Sequence, residues 1–90
     1  MDSKFTSSQS TFFYVYILQS VASPERFYTG FTEHPVERLR EHNQGKSVHT
    51  RSHRPWKLKT CIAFSDRDRA LAFERYLKSS SGRAFARKRL

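Results

Sequence analysis

Residues 27–45 read FYTGFTEHPVERLREHNQG, and this stretch decides the fold. It opens on Phe27-Tyr28-Thr29-Gly30-Phe31-Thr32, an aromatic and β-branched run with the composition of a strand. His34-Pro35 follows, then a segment of good helix formers. Proline suits the first helical position because its missing N–H is one of the donors left unpaired there anyway, and Thr32 or His34 is the cap. The stretch is therefore a strand feeding a helix. Val36 and Leu39 share one helix face. Arg38 and His42, four apart and about 40° from eclipsed, point the same way. Gly45, just past the last periodic residue, is a left-handed stop.

Upstream, residues 12–18 (FFYVYIL) are apolar on both faces, which places them in a central strand. A polar connection over residues 19–26 leads into the 27–32 strand, and a hairpin turning near Ala22 sets Tyr16 opposite Tyr28. A one-residue slip would send the two rings to opposite faces. Downstream, residues 44–55 (QGKSVHTRSHRP) form a basic loop with Lys46, Arg51 and Arg54. Residues 56–64 (WKLKTCIAF) alternate as a third strand, with Trp56, Leu58, Ile62 and Phe64 on one face and Lys57 and Lys59 on the other. Ser65-Asp66-Arg67-Asp68 reads as a capping box that opens a second helix with the inward stripe Ala70, Phe73 and Leu77. Residues 79–82 break that helix, and residues 83–90 (RAFARKRL) form a short basic one. The order β-β-α-β-α-α implies an α+β fold of the broad α/β class, a small three-stranded antiparallel sheet flanked by helices. It occupies one domain over residues 12–90. Residues 1–11 (MDSKFTSSQST) are polar with nothing to bury and are expected to form a disordered tail.

Ninety residues allow one small core. Lys and Arg number 17 against 8 Asp and Glu, a net charge of +9, well beyond what solubility requires. A polyanionic partner follows, and nucleic acid, DNA first, fits it. An anionic membrane surface fits less well, because no helix pairs a broad apolar face with a wholly basic one. No run approaches the roughly 18 apolar residues of a membrane span, and residues 1–11 lack the apolar core of a signal peptide. The single cysteine, Cys61, excludes an internal disulfide and a cysteine-based zinc cluster. A cytoplasmic location is the expectation, and the oligomeric state is left open. His49 and His53 lie four apart but lack a helical pattern and a third ligand, which argues against zinc. Lys46, Arg51, Arg54 and Lys57 are the candidate phosphate-contacting surface.

Glu74 lies inside the apolar arc of the second helix, about 40° from Ala70. Glutamates rarely sit there without a partner. The choice is between a functional carboxylate and an ion pair with Lys78 on a solvated edge.

Tyr14-Val15-Tyr16 and Tyr28-Thr29-Gly30, followed by Arg38 and Glu74, resemble the GIY-YIG nuclease domain over residues 12–90. The likeness runs to small members similar to the N-terminal endonuclease module of the bacterial excinuclease. The wording GFTEHPVERLREHNQG also looks like structure-specific nucleases of the superfamily. The resemblance implies a metal-dependent endonuclease that hydrolyses DNA phosphodiesters in repair or recombination. Glu74 would hold one Mg²⁺ or Mn²⁺, Arg38 would contact the phosphate under attack, and Tyr16 or Tyr28, helped by His42, would activate water. Four departures stand out: Tyr14 replaces a glycine, Val15 and Thr29 replace isoleucines, and Phe31 replaces the lysine of the excinuclease branch. Loss of that lysine would take a cation from beside the phenols. It favours the rival reading, a non-catalytic nucleic-acid-binding module on the same fold. A protein-interaction adaptor would leave the positive charge without a use.

Overall fold

The computed structural model describes residues 11–90. The tail expected over residues 1–11 lies, apart from Thr11, outside the described residues. Three strands, β1 (Phe13–Ser20), β2 (Phe27–Thr32) and β3 (Trp56–Phe64), and three helices, α1 (Pro35–Asn43), α2 (Arg67–Leu77) and α3 (Ser80–Arg89), follow in the order β-β-α-β-α-α. The sheet is antiparallel with β1 in the middle. A central strand must bury both faces, and Val15, Tyr16, Ile17 and Leu18 are all 5% exposed or less. Val15 and Ile17 pack against Ala70 of α2 and Leu77 at its end. Tyr16 and Leu18 face the other way, with Trp56, Tyr28 and Leu39 of α1. The sheet is thus a septum between α1 and the α2–α3 pair.

Four details differ from the sequence reading. The hairpin pairs Tyr16 with Gly30, and Leu18 with Tyr28, two residues from the expected match of Tyr16 with Tyr28. The Ser20 hydroxyl accepts from the Ser23 N–H and the Ser20 N–H donates to the Arg26 carbonyl, which moves the turn onward. A shift of two preserves every side chain's face. Second, β3 carries a bulge: Ile17 pairs with Thr60 but Leu18 with Leu58, leaving Lys59 over. The expected single stripe is thereby split, Trp56 packing beneath α1 and Phe64 against Phe73 on the α2 side. Third, the capping box does not form: α2 starts behind Asp66, whose carboxylate pairs with Arg69 at 3.6 Å rather than capping a backbone N–H. Fourth, the break between α2 and α3 is confined to Lys78 and Ser79. The Ser79 hydroxyl accepts from the Gly82 N–H at 3.1 Å, and Gly82 lies inside α3, where a Cβ would strike the Tyr76 carbonyl of α2.

α1 begins as expected, with His34 as cap and Pro35 in the first turn, and Gly45 follows it at φ 81°. Leu39 packs inward while Val36 stays exposed. No helix among the described residues is long and apolar enough to cross a membrane.

Candidate active site

Tyr16 projects from the middle of β1 under α1 and is 2% exposed. Its ring lies across Gly30, where any Cβ would collide with the phenol. The glycine of the second motif is therefore room for the tyrosine of the first. α1 delivers His42 to the same spot: the Tyr16 hydroxyl is 2.9 Å from His42 Nε2, and His42 Nδ1 is 2.7 Å from Thr50 Oγ1. His42 and Thr50 are fully buried. Tyr28 completes the cluster, its ring centroid 5.0 Å from that of His42 and 6.3 Å from that of Tyr16. The two tyrosines share a face, as the alternation required.

Burial pushes the Tyr16 phenol up to about 12; the Arg38 guanidinium nearby opposes the rise, while Tyr28 and, least, the charge of Glu74 add to it. Burial also depresses His42, with the Arg38 charge acting the same way. The phenol is thus held protonated and the imidazole neutral. In the neutral tautomer with Nε2 bare, the phenolic O–H is directed to His42 Nε2. That tautomer carries its ring proton on Nδ1, donated to Thr50 Oγ1. One run of hydrogen bonds joins Tyr16, His42 and Thr50, with the Arg38 charge acting on both Tyr16 and His42. Arg38 is anchored in turn by Glu41, Nη1 to Oε1 at 2.8 Å.

Thr50 carried no signal in the sequence, being one of several hydroxyls in an irregular loop. The loop is tied down from α1: the Asn43 side chain accepts from the Trp56 N–H at 2.7 Å and donates to the Trp56 carbonyl at 3.0 Å. Trp56 Nε1 donates to the Thr50 carbonyl at 2.7 Å. The interlocked bonds hold the hydroxyl under His42.

Glu74 stands apart from the other four, hydrogen-bonding none of Tyr16, Tyr28, Arg38 and His42. Its side chain is 19% exposed and pairs with Lys78 Nζ at 2.9 Å, so the ion pair weighed in the sequence does form. Its field nevertheless reaches Tyr16. No group of three or more His, Cys, Asp or Glu among the described residues could hold a metal, so an all-protein cage is absent there. A lone, partly buried carboxylate that already accepts one cation suits Mg²⁺-type binding, in which one or two carboxylates suffice and substrate phosphates complete the shell. Phe31 pairs with Val15 and so faces α2, away from the phenols; its ring stacks on Phe13, with Arg67 Cζ 5.7 Å from its centroid. The expected loss of a cation beside Tyr16 is therefore corrected: alternation turns position 31 to the other side of the sheet. Of the candidate phosphate contacts, Arg54 folds back on the loop, donating from Nε to the Arg51 carbonyl and packing over Gly45. Lys46, Arg51 and Lys57 are exposed.

Comparison with known proteins identifies the family. The GIY-YIG catalytic domain matches residues 12–89. The chain is 47% identical over 74 residues to the structure-specific endonuclease subunit SLX1 of Meyerozyma guilliermondii, covering 74% of this chain and 25% of that protein. It is 37% identical over 84 residues to SLX1 of Candida glabrata (76% and 27%), and 37% identical over 65 residues to the SLX1 homolog of Giardia intestinalis (68% and 18%). The chain spans 18–27% of the length of these relatives.

Proposed function

Because this chain belongs to the GIY-YIG family, we propose that it is a divalent-metal-dependent endonuclease that hydrolyses phosphodiester bonds in branched or otherwise structured DNA. The observation that carries the reading is the buried Tyr16–His42–Thr50 hydrogen-bond chain, with Tyr28 packed against it and Arg38 beside it. Ionising a phenol of pKa about 12 at pH 7 costs about 7 kcal/mol, so Tyr16 alone is a poor base. With neutral His42 on its O–H, it need not ionise: as the phenolic oxygen takes a proton from the attacking water, its own proton passes to Nε2. Thr50 holds the ring with Nε2 open to receive it. Arg38, charged at any working pH, offers donors to phosphate oxygens as negative charge builds on them. Glu74 would hold the cation, Mg²⁺ or Mn²⁺, which when bound supplies Lewis-acid stabilisation of phosphate oxygens. Lys78 must release the carboxylate for this.

The relatives are named as subunits, and we propose that this chain also acts beside a protein partner. The test is incision of nicked, branched and single-stranded DNA with and without Mg²⁺ or Mn²⁺. Metal-dependent cuts that vanish in Glu74→Ala while DNA binding persists support the enzyme. Equal absence of incision in wild type and variant on every substrate would leave the binding module.

A further inference from the structure

The basic loop singled out in the sequence is not the only cationic surface. A cavity of about 630 Å³ opens on the opposite side of the sheet, between the hairpin end of β2 and the α2–α3 pair. Its floor is apolar, with Ile17, Leu77 and Ala86, and Lys59, Lys78, Arg83 and Arg87 ring it against a single carboxylate, Glu25. The cations reach it by three routes. Lys59 is the leftover residue of the β3 bulge and donates to the Leu90 carbonyl at the end of α3. Lys78 links the cavity to Glu74. Arg83 and Arg87, four apart on α3, have no acidic partner among the described residues. At the mouth stands Phe27, 50% exposed at the start of β2, next to Tyr28 of the candidate active site.

We propose that this cleft is a single-strand binding site, taking the unpaired arm of a DNA substrate beside the phosphate to be cut. Cations around an apolar floor match a strand whose phosphates and bases are both accessible. An exposed phenylalanine at the entrance supplies the stacking face that single-strand sites use. A duplex offers only its phosphate surface and cannot lay a base on that floor. The volume is that of a small-molecule-sized site, one or two nucleotides rather than a helix. The proposal deepens the nuclease reading and rests on it for the identity of the strand.

The test is binding of fluorescent oligothymidine and of a blunt duplex in chelator, as a function of salt, by wild type, Phe27→Ala, Arg83→Gln/Arg87→Gln and the charge-matched control Arg69→Gln/Arg75→Gln. All these residues are exposed, so the fold is retained, with circular dichroism as the check. Removing two phosphate contacts lowers the single-strand log–log salt slope by about 1.4, and the control moves it by less than half of that. Phe27→Ala weakens oligothymidine binding about 5-fold or more and leaves duplex binding unchanged. Equal slopes for the two arginine pairs, or a Phe27→Ala effect that is absent or equal on duplex, overturn the cleft. Wild type that fails to incise with metal would instead overturn the nuclease reading, and the chelator measurements judge the cleft independently.

Discussion

Tyr16 is buried and its hydroxyl has one hydrogen-bonding neighbour among the described residues, His42 Nε2 at 2.9 Å, so that is where its proton can go. Removing that exit with His42→Ala should slow incision by about 10²–10⁴-fold, the usual worth of a positioned acid–base group, measured in single turnover. Thr50→Val strands the Nδ1–H in a dry pocket and should destabilise by about 1–3 kcal/mol in denaturant melts, whereas Thr50→Ser keeps the bond and most of the rate. The motif residues were legible because their types are chosen by chemistry and their faces by strand and helix periods. Thr50 was not, because its position depends on Asn43 and Trp56 meeting across a loop without a period.

Strands and helices here are shaped by what must pass between them. Gly30 lets the Tyr16 ring cross β2, so Gly30→Ala should leave a folded protein, cost about 1–3 kcal/mol by overpacking and abolish most incision. Gly45→Ala places a Cβ at φ 81° beside Arg54, and should cost about 1–2 kcal/mol in thermal melts. Both glycines sit within the stretch that decided the fold, and the strand-to-helix transition there was readable from composition alone. The bulge in β3 was not: WKLKTCIAF alternates cleanly on paper, and only the fit of β3 against a fully buried β1 requires the leftover lysine. The register was missed by two residues for a similar reason, since Ser20, Ser23 and Arg26 close the turn through bonds that no hydropathy pattern reports.

At the scale of the whole molecule, the buried relay makes stability depend on pH from both sides. His42 is depressed in the folded state, so below about 6.5 the unfolded chain takes up a proton that the folded one refuses, and stability falls as pH drops through that window. Tyr16 is raised to about 12, so between about 10 and 12 the unfolded chain releases a proton the folded one keeps, and stability falls as pH rises. Melting temperature against pH should therefore show a plateau between these limbs, with the acid limb shallower in His42→Asn and the alkaline limb shallower in Tyr16→Phe. The central claim is that Tyr16 and His42 move one proton as a unit, and single-turnover incision by Tyr16→Phe, His42→Ala and the double variant tests it most directly. A relay makes the double variant no slower than the slower single variant, because either change breaks the same path. Losses that multiply in the double variant would contradict it.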